Sequence, residues 1–271
     1  MHKAINLEEL NMRSLNYAQF KRVLRGIDLE YRITGYSITL EKKVKFIGLH
    51  IPYDIGFFQC EFSIVEFENC RFSGNITLDN SDCKQLAFKG CQLQNVILKD
   101  SSLGSLTICN SSEIRKLDVY NCSVNEVVIE ENPIFQEISL GCKNKIRNCF
   151  LRHSGSRRLN SFQTNVYICP EQFESFILQN LNTNVLHIGT FGNYSKLMLN
   201  DIHAEYVVFE NCNGETSNVD IIDLKSGKSE LGEMHLINTT IDSDVFDIKA
   251  LQTQFNTKVH HKPVDVRELL R

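Results

Sequence analysis

The stretch from Leu86 to Asn110, "LAFKGCQLQNVILKDSSLGSLTICN", carries a large apolar residue at every fifth position: Phe88, Leu93, Leu98, Leu103 and Ile108. Two residues before each stands a second inward candidate, and these alternate between large and small: Leu86, Cys91, Val96, Ser101 and Leu106. The repeating unit is therefore ten residues long. An amphipathic helix spaces its apolar residues by three and four, and a half-buried strand by two, so neither gives five. A pair facing inward at i−2 and i, followed by a corner, does give five. It makes a short strand and a bend, and four such sides close one coil of about twenty residues.

The same beat runs outward in both directions. Upstream it appears as Ile55/Phe57, Cys60/Phe62, Val65/Phe67 and Cys70/Phe72, with Ile76/Leu78 after one inserted residue. Downstream it continues as Leu117/Val119, Cys122/Val124, Val127/Ile129 and Ile138/Leu140, with slips near Glu113 and Pro133. Residues one coil apart should share a site and hence a chemistry, and they do. Cys60, Ser81, Ser101, Cys122 and Cys142 form one column of small residues, Cys70, Cys91 and Ser111 a second, and Phe67, Phe88, Ile108 and Ile129 a bulky third. This is the pattern of a parallel β-helix, in which each coil covers the apolar face of the next. After Cys142 the ten-residue beat persists as Phe176/Leu178, Leu186/Ile188, Leu197/Leu199 and Val207/Phe209, and more widely as Ile222/Leu224, Met234/Leu236 and Phe246/Ile248. The expectation is one solenoid, with a separate second domain after Cys142 as the alternative.

These columns, with Cys, Ser, Val or Leu at i−2 and Leu or Phe at i, resemble the pentapeptide-repeat proteins over roughly residues 55–140. The resemblance implies a right-handed quadrilateral β-helix. The chain departs from that family at Leu86, Leu106 and Leu117, where the family favours a small residue. The departure leaves a flatter or wider parallel β-helix as the alternative cross-section.

Caps are expected at both ends, because a solenoid otherwise exposes unpaired backbone. "SLNYAQFKRVLRG" reads as a helix with Ser14 as N-cap, an apolar stripe of Leu15, Phe20, Val23 and Leu24, and Gly26 as its stop. Two strands about Gly35 then lead into the first coil, and "DVRELLR" reads as a short closing helix. The expected organisation is a cap over 1–45, a mainly β solenoid over 46–250 with a basic insertion near 143–165, and a cap or tail over 251–271.

Composition narrows the function classes. Of 271 residues, 42% are hydrophobic, which is enough for a real core. The net charge of −4 favours neither a nucleic-acid binder nor a strongly acidic mimic. Its distribution is uneven, with eleven acidic residues against three lysines over 201–250, and six basic residues with no acidic one over 141–160. The N-terminus lacks the apolar core of a signal peptide, and no run approaches the roughly 18 apolar residues of a membrane span. The expectation is a cytoplasmic chain with no membrane contact, its ten cysteines reduced and mostly buried.

No catalytic or cofactor motif stands out: there is no phosphate-binding glycine loop, HExxH, GxSxG or CxxC pair. Asp79, Asp100 and Asp118 lie about one coil apart and suggest an acidic outer stripe. Cys142, Cys149, His153 and Cys169 have a loose metal-ligand look, but their spacing fits no zinc module. His50 with Tyr53 and Asp54, and His260 with His261, read as a capping turn and a polar tail. The expectation is therefore no enzyme, no metal and no cofactor. The strongest candidate for contact with a partner is the basic segment carrying Lys143, Lys145, Arg147, Arg152, His153, Arg157 and Arg158, since loops on a rigid frame carry binding and Arg forks suit phosphate or carboxylate. A rod without a deep cleft suits an extended macromolecular partner, most of all a protein. Nucleic acid is a second option through the same segment, and an end cap offers a route to homo-oligomers. The alternatives in other classes are a carbohydrate-active β-helix enzyme and a solenoid that binds or mimics DNA, as some pentapeptide-repeat proteins mimic DNA to bind gyrase.

Overall fold

The computed structural model describes residues 3–6, 31–36, 39–41, 43–52, 54–110, 112–130, 134–141, 143–152, 165–189, 196–210, 218–220, 230–237 and 258–260. Every pairing between these strands is parallel, and the strands stack on two faces. Face A holds Val44–Ile47, Glu61–Glu68, Asp82–Lys89, Ser102–Cys109, Ser123–Ile129 and Lys145–Arg152 in order, followed by the first part of Gln172–Gly189 and of Lys196–Glu210. Face B holds Lys3–Asn6, Tyr31–Tyr36, Ile55–Phe58, Ile76–Asp79, Gln92–Lys99, Glu113–Tyr120, Ile134–Leu140 and Asn165–Ile168. It continues through the later parts of the two long strands to Glu230–Ile237 and Lys258–His260. The molecule is a parallel β-solenoid. The ladder crosses residue 142 without a break, so the two halves are one solenoid. Gly35 lies inside the strand Tyr31–Tyr36 rather than between two strands. The helices expected at residues 14–26 and at the C-terminus lie outside the described residues.

The period of five is a sum of two and three. Within Asp82–Lys89 and Gln92–Lys99 the buried positions that keep the beat are Cys83, Leu86 and Phe88, then Leu93, Val96 and Leu98, with Ala87 also buried between two of them. Steps of two are ordinary strand alternation. Steps of three mark bends, and there are two kinds. One is soft and lies inside the strand, where two consecutive residues face outward and the ladder skips a partner, as at Lys84 opposite Gly104. The other is hard, and the residue before it takes a left-handed backbone: Gln59, Asn69, Asn80, Gly90, Asp100, Asn110, Asn121 and Lys143 all have φ between 48° and 65°. Glycine, Asn and Asp predominate there because they tolerate that conformation.

Hard and soft bends alternate every five residues, which explains the alternation of small and large residues at i−2. After a soft bend the i−2 residue simply fills the core, so Leu86, Val96, Leu106 and Leu117 fit there. After a hard corner it must also satisfy backbone groups. Ser81 Oγ accepts from the N–H of Cys60 at 2.9 Å and donates to the carbonyl of Asp79 at 2.8 Å. Ser101 repeats this with Ser81 N–H at 3.1 Å and Lys99 C=O at 2.6 Å. Ser112 does the same for Cys91 N–H and Cys109 C=O. Buried backbone donors and acceptors must be paired somewhere, and a short hydroxyl or thiol can do it without filling the corner.

The core runs the length of the rod in columns. Phe46, Phe67, Phe88, Ile108, Ile129, Leu151, Leu178 and Leu199 are successive register partners, and all are buried. The rings of Phe46, Phe67 and Phe88 stack at 5.1 and 5.4 Å, within the range of favourable aromatic pairs. Coils lengthen where chain is inserted. Phe88 pairs with Ile108, 20 residues on, whereas Leu151 pairs with Leu178, 27 residues on.

Candidate functional site

Four of the seven basic residues singled out from sequence are described, and they stand on the solenoid wall. Lys145–Arg152 is a regular strand with Ile146, Cys149 and Leu151 turned into the core. The register therefore breaks only after Arg152, not at Lys143. The reason is a coil one residue longer than expected, in which Ser123 pairs with Lys145. Lys143 is the left-handed corner residue and Lys145 begins the strand, so these two flank one corner, both exposed. Arg147 occupies the soft bend, and its Nε donates to Glu174 Oε2 at 2.8 Å. Arg152 ends the same strand, roughly 20 Å from Lys145 at the rise of a strand. His153, Arg157 and Arg158 lie outside the described residues.

One-residue slips, one in each of two coils, correct two column assignments. The register partner of Cys122 is Asn144, not Cys142, and that of Cys91 is Ser112, not Ser111. Asn144 is fully buried, accepts from Cys122 N–H at 2.8 Å through Oδ1 and donates from Nδ2 to Val119 C=O at 2.6 Å. Sequence reasoning missed it. The signal that could have found it is the corner dipeptide itself, a left-handed residue followed by a small hydrogen-bonding one: Asn69-Cys70, Asn80-Ser81, Gly90-Cys91, Asp100-Ser101, Asn121-Cys122 and Lys143-Asn144.

One coil below Lys143 and Lys145, an exposed aromatic ring precedes the same corner column. Tyr120, 41% exposed, ends a face B strand just before this corner. Below it stands Lys99, its register partner, which reaches Asp79 at 3.6 Å and Asp100 at 3.4 Å. Above it the row continues with Gly141, whose N–H donates to Val119 C=O at 3.0 Å. The corner residues Asp100 and Asn121 are joined by a hydrogen bond from Asn121 Nδ2 to Asp100 Oδ1, and Lys143 stacks beyond them. That bond, together with Lys99, holds the Asp100 carboxyl below the usual carboxylate range. Among the described residues, Lys143 and Lys145 make no ion pair.

Two further polar clusters lie on the walls. On face A, the carboxylate of Glu66 is only 6% exposed and bridges three coils, with Lys43 Nζ at 2.8 Å, Lys89 Nζ at 2.7 Å and Lys45 Nζ at 3.9 Å. The hydrogen bonds from Lys43 and Lys89 pull its pKa down to about 2 against the opposing effect of burial. On face B, His187 Nε2 lies 2.9 Å from Glu210 Oε2, and its ring meets Tyr167 edge-on at 6.2 Å. Burial lowers the pKa of His187 and outweighs the carboxylate. These pairs tie coils together and present no nucleophile.

The remaining sequence candidates separate. Asp79, Asp100 and Asp118 fall in three different outer rows, so they do not make one acidic stripe. Cys149 is buried inside face A, whereas Cys169 follows a face B strand, and Cys142 and His153 lie outside the described residues. Among the described residues no group of three or more His, Cys, Asp or Glu could hold a metal ion. Asp54 Oδ1 accepts from Asn75 N–H at 2.8 Å, joining one coil to the next; Tyr53 and His261 lie outside the described residues. The eight described cysteines are free thiols, and seven of them are buried. Among the described residues no helix is long and apolar enough to cross a membrane. Compared with protein-family models, curated proteins and solved structures, the chain matches none.

Proposed function

We propose that this chain is a non-enzymatic binding or scaffold protein of the pentapeptide-repeat kind, working in the cytoplasm, which engages a protein partner along the outer walls of its solenoid. The observation that carries this reading is the corner after Tyr120, where an exposed tyrosine ring stands one coil below the exposed corner residues Lys143 and Lys145. Tyrosine is enriched at the centres of protein interfaces, where a large rigid ring supplies contact area, and lysines around it steer and select an oppositely charged partner. Arg152 adds a positive charge at the far end of the same strand, and His153, Arg157 and Arg158 follow it in the sequence, a basic balance that favours an acidic partner surface.

The test is affinity capture with the intact chain, comparing wild type with Lys143→Ala/Lys145→Ala and with Arg152→Ala/Arg157→Ala/Arg158→Ala. Lys143, Lys145 and Arg152 are exposed, and Arg157 and Arg158 fall outside the apolar repeat of the sequence, so both variants should fold, and loss of the captured partner in either one supports the reading. Unchanged capture by both variants overturns it. A salt titration separates the nucleic-acid alternative, because phosphate contacts make affinity fall steeply and linearly on a log–log scale.

A further inference from the structure

We propose that Cys70 and Cys91 form a redox latch, in which a low-molecular-weight disulfide oxidises the two thiols to a cystine that staples successive coils. Among the described cysteines these two alone stack on one another. Cys60 stacks on Ser81, and Cys122 lies between Ser101 and Asn144. Arg71 is the register partner of Gln92, and Gln92 N–H donates to Cys70 C=O at 2.9 Å, so Cys70 and Cys91 occupy the same corner one coil apart. Strand spacing of about 4.8 Å lies inside the Cα separation that a disulfide spans. Each thiol donates to the carbonyl two residues before it, Cys70 to Glu68 at 3.4 Å and Cys91 to Lys89 at 3.5 Å, so the two side chains sit alike in the one corner. Their sulfurs repeat one geometry, Cys70 Sγ donating to Phe46 C=O at 3.6 Å and Cys91 Sγ to Phe67 C=O at 3.4 Å.

The step balances as ordinary thiol–disulfide exchange. Cys70, as thiolate, attacks one sulfur of the small disulfide and releases one thiol. Cys91 then loses its proton and attacks the Cys70 sulfur, releasing the second thiol. Two protein thiols are oxidised, one small disulfide is reduced, and both protons end on the released thiols. The contact with Cys91 holds the Cys70 thiol below the ordinary thiol range, which fits it for the first attack, and the same contact with burial holds Cys91 above it. Both sulfurs are buried, so exchange proceeds through opening of the corner at exposed Asn69.

The experiment incubates the intact chain with excess oxidised glutathione, blocks remaining thiols, and maps peptides without reduction. The expected result is a Cys70–Cys91 cross-linked peptide with a melting midpoint raised by about 4 °C or more, both reversed by dithiothreitol. Cys91→Ser and Cys70→Ser should keep the fold, since Ser81, Ser101 and Ser112 occupy equivalent corners, and each should abolish the shift. Glutathione adducts alone, cross-links between other cysteines, or a midpoint shift that survives Cys91→Ser would overturn the latch.

Discussion

Glu66→Gln removes one charge from a carboxylate that touches three lysines across three coils, and it does so without changing the shape of the side chain. Moving a carboxyl from an ordinary 4.5 to about 2 corresponds to about 3.4 kcal/mol at 1.36 kcal/mol per pKa unit. The lysine ends are partly solvated, with Lys43 55% exposed and Lys89 35% exposed, so screening reduces the net value to about 2 kcal/mol. The sign follows from linkage. A carboxyl with a depressed folded pKa contributes stability that is fully present above its unfolded value of 4.5 and is lost as pH falls towards about 2. Wild type should therefore exceed Glu66→Gln by about 2 kcal/mol at pH 7, and the gap should close between pH 4.5 and 2. The assay is a urea titration of both proteins at pH 7, 4 and 2.5, read by circular dichroism. Other carboxylates titrate over the same range, but they do so in both proteins and cancel in the difference. A gap of the same size at pH 2.5 as at pH 7 would refute the reasoning, and so would the absence of a gap at pH 7.

Asn144→Leu should cost about 1 to 3 kcal/mol, because it orphans the buried Cys122 N–H and takes one of two donors from Val119 C=O, which keeps the N–H of Gly141 at 3.0 Å, whereas Asn144→Ser should cost less by keeping an acceptor as Ser101 does; equal midpoints for the two variants in urea would contradict the corner-capping role. Leu98→Asp should unfold the central coils by burying an unpaired carboxylate, and its neighbour Lys99→Asp should shift stability by less than about 1 kcal/mol, since only exposed ion pairs are lost; thermal melts that match would exclude the inward assignment. In the native protein a maleimide at pH 7.5 should modify half-buried Cys169 well before Cys83, Cys122 and Cys149. Burial pushes Cys83 up to about 12 and Cys122 up to about 11, and raises Cys149 as well, so little thiolate is present even where reagent penetrates. Rapid labelling of Cys83 would argue against the inner column that pairs it with Phe62 and Leu103.

The apolar rhythm from Ile55 to Leu140 was enough to determine the coil, its approximate length and the inward columns, because in a solenoid each position meets its own copy one coil away and the sequence must repeat what the packing repeats. The columns Phe67-Phe88-Ile108-Ile129 and Cys60-Ser81-Ser101-Cys122 were legible for that reason, as was the continuation at Phe176/Leu178 and Val207/Phe209. Register beyond a slip was not legible. Cys142 and Ser111 look as suitable by type as Asn144 and Ser112, and only the hydrogen bonds between coils show which residue occupies the corner. Nor could the one-dimensional pattern reveal that the small residues are there to satisfy backbone groups at left-handed corners, since that demand arises from the bend and not from hydrophobicity. The outer walls carry no such repetition. Their rows mix Glu66 with Ala87, where lysines of neighbouring coils cover the wall, and Lys99 with Tyr120, where water reaches it. Which charges and rings meet there is decided by the register of the stacked coils, so the corner at Tyr120, Lys143 and Lys145 and the stacking of Cys70 on Cys91 became definite only once the tertiary structure had fixed that register.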